Sequence, residues 1–143
     1  MSDAGIYQLL IHLRQPRRLR VGALGEFELA AGWWVYTGSA RRGLSHRLAR
    51  HRAPTKVLRW HIDYLTTVAP VLAVRTWPIG VIAECAAHRE LAAQAGVSQP
   101  IPGFGSSDCR CPSHLCYLGP QRPADGWPAA AGSAVSDPDA TAP

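Results

Sequence analysis

The 143-residue sequence has no apolar run that approaches the length of about 20 residues needed to span a bilayer. Its first four residues carry no basic charge ahead of an apolar segment, so the pattern of a secretory signal is missing. An internal repeat, a glycine-rich phosphate loop and any asparagine are also missing. We therefore predict a cytoplasmic protein with no membrane partner.

Lysine is almost absent, since fourteen of the fifteen basic residues are arginine. Up to residue 119 there are fourteen basic residues against seven acidic ones, whereas residues 120–143 hold one arginine against three aspartates. Arginine suits bidentate contacts with phosphate. The clustered excess of positive charge favours a nucleic-acid partner.

The length fits one domain with a hydrophobic core, which we assign to residues 1–119. Residues 120–143 consist mainly of Ala, Pro, Gly, Ser and Asp, with Trp127 as their one large apolar residue. Such a segment buries too little apolar surface to order itself. We predict that it is a disordered tail.

Four cysteines in a cytoplasmic chain are more typical of reduced thiols or metal ligands than of disulfides. Cys109, Cys111, His114 and Cys116 lie within eight residues, and Cys85 is a remote candidate ligand. However, a Cys-x-Cys on an extended strand points its sulfurs to opposite faces, and structural zinc sites usually combine two separated ligand pairs. We expect buried thiols and regard zinc as unlikely.

The pattern of apolar residues predicts an α/β (α+β) fold with a small, mostly antiparallel sheet and about three helices. Residues 5–13 are mostly apolar, as in a strand covered on both faces, and residues 19–30 alternate around Gly25 as in an extra N-terminal hairpin. With a strand at residues 33–36, these segments predict a three- or four-stranded meander before any helix. Further helices are expected at 41–53, 58–65 and 81–95, with a strand at 71–77.

Tyr7 and Tyr36 lie in or at the end of apolar strands, where the ring is anchored and the hydroxyl faces an open cleft. At helical pitch, Arg47 and His51 fall along the edge of an apolar stripe. Arg47 is then a site residue, or its stem packs on the core with its head in water. Glu84 projects onto an apolar helix face, where its carboxylate is paired with an arginine or bound to a metal.

The ordered set of motifs resembles the GIY-YIG nuclease superfamily. It consists of Gly5-Ile6-Tyr7, Tyr36-Thr37-Gly38-Ser39-Ala40, the arginine of Arg47-Leu48-Ala49-Arg50-His51, and Glu84 on a later helix. Residues 60–65 and 105–115 look more closely like an uncharacterised GIY-YIG-like family that is sometimes fused to a DNA-repair glycosylase. The resemblance covers residues 5–118.

The resemblance implies a metal-dependent endonuclease that hydrolyses phosphodiester bonds in DNA, in a repair setting. Tyr7 would activate water as or through a general base, Tyr36 would position that water, and Arg47 would stabilise charge on the phosphate. Glu84 would hold a single Mg²⁺ or Mn²⁺. The expected contacts with nucleic acid are Arg41, Arg42, Arg50, His51 and Lys56.

Three features depart from common members of that superfamily. The gap between Tyr7 and Tyr36 is 29 residues, which is longer than in typical members. Arg47 lies one residue further from Gly38-Ser39-Ala40 than the arginine of common members does, so Arg50 stays an alternative catalytic arginine. The asparagine that many members use is absent, so Ser106, Ser107 or Asp108 is a candidate replacement and it stays open whether the site cleaves. His114 is a further accessory candidate. The alternative is a catalytically weak or inactive nucleic-acid-binding module of the same fold; a zinc-organised protein-interaction module is less favoured.

Overall fold

A computed structural model describes residues 3–124, residue 127 and residues 135–136. Its elements, in chain order, are β1 (Gly5–Leu13), β2 (Arg17–Arg20), a 3₁₀ turn (Gly22–Leu24), β3 (Glu26–Leu29), β4 (Gly32–Ala40), α1 (Leu44–Arg52), α2 (His61–Thr66), β5 (Val71–Trp77), α3 (Glu84–Ala92), β6 (Leu115–Gly119) and β7 (Val135–Ser136). These elements confirm the predicted mixed fold, with a small antiparallel sheet, a separate hairpin and three helices.

The main sheet has the strand order β6-β4-β1-β5-β7, and all of its pairs are antiparallel. Strand β1 is central, pairing with β4 on one edge and β5 on the other. The β1–β4 register sets Tyr7 opposite Gly38 and Leu9 opposite Tyr36. Sheet pairing therefore brings the two predicted motif tyrosines together on adjacent strands.

Both faces of β1 and β4 are covered, as their apolar sequences predict. Because successive side chains alternate between faces, Leu9 and Trp34 enter one core cluster while Leu10 and Trp33 enter another. The hairpin and helices α1 and α2 contribute to the first cluster, and α3 contributes Leu91 to the second. The sheet is thus a central layer between two apolar layers.

The predicted meander is wrong, although its hairpin is confirmed. Strands β2 and β3 form their own two-stranded sheet, and β1 pairs directly with β4. The hairpin cannot join β1 because both edges of that strand are already occupied. Its outer face carries ion pairs from Arg18 to Glu26 and Glu28, and its inner face buries Leu19 and Leu29.

Helix α2 is fixed at its start by Asp63, which the sequence suggests as a polar residue at the helix rim. The Asp63 side chain is instead fully buried. Its Oδ2 accepts hydrogen bonds from the backbone N–H groups of Arg59 and Trp60 and from the Arg50 guanidinium, the last at 2.6 Å. The carboxylate satisfies backbone donors at the helix start and neutralises a partly buried cation.

Parts of the predicted tail pack against the domain. Trp127 is 8% exposed and belongs to the second core cluster, where the Arg75 guanidinium lies 4.3 Å from its ring centroid. Val135–Ser136 pairs with β5. The other residues from 125 onward lie outside the described residues, and disorder there stays a prediction. Within the described chain, no helix has both the length and the apolar character needed to cross a membrane.

Candidate functional site

A cleft of about 330 Å³ lies where β1 begins and β4 ends. Six of the residues predicted as catalytic, metal-binding or accessory line it, together with six others. The lining residues are Tyr7, Tyr36, Gly38, Ser39, Arg47, Arg59, Trp60, His61, Glu84, Gly105, Ser107 and Asp108. Residues from six separate segments of the chain therefore meet on one concave surface.

The phenol of Tyr7 lies across β4 at Gly38, its partner in the strand register. A Cβ atom at Gly38 would lie 2.6 Å from both Cζ and Oη of Tyr7, closer than side chains approach each other. Glycine is required there because the phenol occupies the space of a side chain. The Tyr7 side chain is 2% exposed, and its Oη lies 2.8 Å from Nε2 of His51.

The protonation states of this pair follow from burial. Burial raises the pKa of Tyr7 well above its ordinary value, although the Arg47 guanidinium opposes the shift. Burial also lowers the pKa of His51 to about 4. At neutral pH Tyr7 is therefore a protonated phenol beside an uncharged imidazole, an arrangement suited to passing a proton from one to the other.

Tyr36 is held by aromatic neighbours and by a glycine. Its ring meets those of Phe104 and His51 edge-on at centroid distances of 6.2 and 6.3 Å. Gly105 has φ +67°, and a Cβ there would lie 2.8 Å from the Tyr36 ring. Burial raises the pKa of Tyr36 well above its ordinary value, so its hydroxyl also stays protonated at neutral pH.

Arg47, rather than Arg50, lines the cleft. Nη1 of Arg47 donates a hydrogen bond to the Ser39 carbonyl at 2.5 Å, and its guanidinium lies 4.8 Å from the Trp60 ring centroid. The Arg50 guanidinium packs 4.9 Å from the same ring but bonds to the buried carboxylate of Asp63. Arg50 therefore neutralises an internal acid, which leaves Arg47 as the arginine available to a ligand in the cleft.

Glu84 is the first residue of α3 and reaches the cleft with 28% of its side chain exposed. Its Oε1 accepts a hydrogen bond from Ser39 at 2.5 Å, and its Oε2 lies 2.8 Å from Nδ1 of His114. Burial alone would raise the pKa of Glu84, but the hydrogen bonds from His114 and Ser39 lower it. Among the described residues, the charged carboxylate on an apolar helix face is thus neutralised by histidine and not by a direct bond to an arginine, which is one of the two partners expected from the sequence.

His114 links this carboxylate to a group of thiols. Burial would lower the pKa of its imidazole, but the bonds to Glu84, to Cys111 and to the Thr37 carbonyl together outweigh burial and raise it to about 9. Its Nε2 lies 3.3 Å from Sγ of Cys109 and 3.7 Å from Sγ of Cys85. The ligand atoms of Cys85, Cys109, Cys111 and His114 all lie within 4.8 Å of one another. The protein therefore has a group of side chains that can hold a metal ion.

The donor set of this cluster corrects the expectation for the cysteines. Thiolate and imidazole ligands are typical of zinc, whereas Mg²⁺ prefers oxygen. Cys109 and Cys111 lie outside any strand, so the argument that their sulfurs point to opposite faces does not apply. The fourth cysteine, Cys116, is fully buried in β6 and stands outside the group.

The predicted nucleic-acid contacts fall into two sets. Arg41 and Arg42 are exposed just after β4, next to the cleft residue Ser39. By contrast, the His51 ring is buried against Tyr7, and Nζ of Lys56 donates to the His51 carbonyl and to Thr66. Together with Arg50 in its ion pair, these residues are engaged inside the fold.

Sequence reasoning missed the roles of three residues in or beside the cleft. His51, expected at the edge of a helix beside Arg47 and as a contact with nucleic acid, is instead buried against Tyr7. His61 lines the cleft and accepts a hydrogen bond at Nδ1 from the Gly105 N–H at 2.8 Å. Arg59 adds an exposed cation at the rim. The contact of His61 with Gly105 spans 44 residues and leaves no local signal.

Comparison with models of known protein families places the chain in one family. The family model described as "Domain of unknown function DUF123" matches residues 6–134, most of the chain, and the protein belongs to this family. Searches of curated proteins and of solved structures returned no match. The predicted membership of an uncharacterised family is confirmed at this level.

Proposed function

We propose that this protein is a metal-dependent endonuclease of the GIY-YIG type that hydrolyses phosphodiester bonds in DNA. The observation that carries the proposal is the convergence of Tyr7, Tyr36, Arg47 and Glu84 on one cleft. The sequence resemblance implies the same four residues. Their meeting on one concave surface is what a shared reaction centre requires.

The chain offers Tyr7 and His51 for activation of the attacking water. Neither phenol is acidic enough to act alone as a base at neutral pH. Tyr7 accepts the proton of the water as its own hydroxyl proton passes along the hydrogen bond to the uncharged His51 ring, whose Nε2 lies 2.8 Å from the Tyr7 oxygen. Because burial makes His51 a weak base, this transfer would rely on a cation at Glu84 to make the water more acidic. Tyr36, whose ring centroid lies 6.3 Å from that of Tyr7, orients the same water through its hydroxyl.

Arg47 and the cation supply positive charge to the phosphate. The guanidinium of Arg47 can bind the non-bridging phosphate oxygens, whose charge grows in the transition state. The Glu84 carboxylate fits a Mg²⁺ or Mn²⁺ ion because each of its oxygens has one protein partner and keeps a free lone pair, while the group is partly exposed. Such an ion, with water and phosphate as its other ligands, would stabilise the leaving oxygen.

Asp108 and Ser107 are the candidates for the role that asparagine has in many nucleases of this type. Both are exposed and line the cleft. Arg41, Arg42 and Arg59 are exposed near its rim and can contact phosphates on either side of the bond to be cleaved. The exposed positive charge supports a polymeric nucleic acid rather than a single nucleotide as substrate.

The proposal is tested with labelled duplex, flap, fork and single-stranded DNA in the presence of Mg²⁺ or Mn²⁺. We expect cleavage of at least one of these substrates, abolished by EDTA. Tyr7→Phe and Glu84→Ala should each lower the rate by about 100-fold or more. The matched controls are Tyr117→Phe, a tyrosine in β6 outside the cleft, and Glu90→Gln, an exposed acid on α3; both should cleave normally.

Two outcomes would contradict the proposal in different ways. Cleavage that survives Glu84→Ala would remove the metal assignment. Salt-sensitive binding that weakens in Arg41→Ala and Arg42→Ala, without cleavage under any metal, would favour the inactive binding module.

A further inference from the structure

We propose that Cys85, Cys109, Cys111 and His114 bind one Zn²⁺ ion in a tetrahedral site that is separate from the proposed magnesium position on Glu84. Neither the family description nor the proposed nuclease activity includes this site. Its four ligands come from the start of α3 and from residues 101–114.

The distances between ligand atoms fit zinc. Tetrahedral bonds of about 2.3 Å to sulfur and 2.0 Å to nitrogen separate a sulfur from a nitrogen by about 3.5 Å. Nε2 of His114 lies 3.3 Å from the Cys109 sulfur and 3.7 Å from the Cys85 sulfur. With all four atoms within 4.8 Å of one another, small side-chain rotations close the site around an ion.

The orientation of His114 is already that of a zinc ligand. Nδ1 faces the Glu84 carboxylate at 2.8 Å and the Thr37 carbonyl at 3.1 Å, so it carries the ring proton when the other nitrogen binds a metal. Nε2 faces the sulfurs. Metal-bound histidines almost always donate their second N–H to a carboxylate or a carbonyl, which fixes the tautomer. The His88 ring, stacked on His114 at 5.1 Å and 5° between planes, holds this orientation further.

The site ties an irregular loop to the sheet and helix. Residues 101–114 contain no helix or strand and are held by backbone bonds such as Gly103 N–H to Pro112 O and His114 N–H to Phe104 O. The same loop supplies Gly105, Ser107 and Asp108 to the cleft. A zinc ion bonded to Cys109 and Cys111 on one side and to Cys85 on the other fixes the loop in place, as structural zinc does in small domains.

Glu84 connects the zinc site with the cleft. One oxygen of its carboxylate holds His114, and the exposed part of the same group lines the cleft. The zinc ion therefore positions the Glu84 carboxylate through His114. This last step rests on the proposed function, whereas the zinc site itself does not.

The test measures metal, not cleavage. Full-length protein is purified under reducing conditions without added metal, and its zinc content is measured by inductively coupled plasma mass spectrometry. Metal-free protein is then titrated with Co²⁺. We expect one equivalent of zinc per chain. With Co²⁺ we expect the intense visible bands of a tetrahedral site and the near-ultraviolet band of thiolate bonds.

The variants separate ligands from neighbours. Cys109→Ser and Cys111→Ser, both at partly exposed positions, should lower zinc affinity by at least 100-fold, whereas Cys116→Ala should keep one equivalent. Glu84→Gln should weaken zinc binding by about 10- to 100-fold, the usual effect of removing the carboxylate behind a histidine ligand. Circular dichroism of each variant checks that it is folded.

A reduced, folded protein that binds neither Zn²⁺ nor Co²⁺ at micromolar concentration would overturn the site. Full zinc content in both serine variants would overturn the assignment of ligands. A wild-type protein that contains one equivalent of zinc but cleaves no DNA substrate would reject the proposed function and leave the zinc site intact. Failure of the zinc site and failure of the proposed function are therefore distinguishable.

Discussion

The buried pair of Tyr7 and His51 makes a quantitative prediction about stability in acid. Burial, aided by the positive charges of Lys56 and Arg47 and opposed by Asp63, lowers the pKa of His51 from 6.5 to about 4 in the folded protein. Its Nδ1 has no hydrogen-bond partner among the described residues, so a protonated ring would be poorly accommodated. Unfolding restores the ordinary value.

The sign follows from which state binds the proton. Below pH 6.5 His51 becomes protonated in the unfolded chain, whereas in the folded protein it becomes protonated only near pH 4. The free energy of unfolding therefore falls as the pH drops through this window and levels off below it. The gap in pKa corresponds to about 3 kcal/mol, a sizeable part of the 5–15 kcal/mol typical of a domain.

The perturbation is His51→Gln, which keeps a hydrogen-bond acceptor for the Tyr7 hydroxyl but does not titrate. We expect the wild type to lose about 3 kcal/mol relative to this variant between pH 7 and pH 4. Urea unfolding followed by tryptophan fluorescence at several pH values measures the difference, and contributions shared by the two proteins cancel.

The matched control is His46→Gln, which removes an exposed histidine from the same helix. Its pH profile should follow that of the wild type. Parallel profiles for the wild type and His51→Gln would refute the reasoning, because they would mean that His51 titrates alike in the folded and unfolded chain.

Two further predictions concern residues that hold the site. Asp63→Asn should destabilise the fold by about 3 kcal/mol in urea unfolding, since it leaves the Arg50 cation unpaired, whereas Asp108→Asn at an exposed position should change it by less than about 0.5 kcal/mol. Gly38→Ala should lower stability by about 1–3 kcal/mol because its methyl group collides with the Tyr7 phenol. In a double-mutant cycle with Tyr7→Ala, the cost of Gly38→Ala should shrink, and equal costs in both backgrounds would contradict this contact.

The sequence predicts β1 and β5 at their observed bounds because each is a compact apolar run between turn residues. It also predicts six of the twelve residues that line the cleft, since motif order carries information that periodicity does not. The meander fails for a different reason. The sequence of residues 17–29 predicts a hairpin but cannot show that both edges of β1 are occupied, because strand pairing depends on the whole sheet.

The thiol cluster shows where local reasoning ends. Cys85 lies on a helix, and Cys109 and Cys111 lie in a loop without repeating geometry, so their mutual distance depends on how that loop folds. The role of Glu84 is similar. Helical projection identifies it as a charge that needs a partner, but His114 becomes that partner only when β6 pairs with β4.

The hairpin enters the chain at the end of β1 that is remote from the cleft. Tyr7 is six residues from the strand end at Leu13, which is about 20 Å along an extended strand. The distance between the two motif tyrosines is fixed by interstrand hydrogen bonds rather than by the number of residues that separate them in the chain. The connection between β1 and β4 can therefore lengthen, shorten or acquire new surface contacts during evolution while the spacing of the hydroxyl groups stays constant.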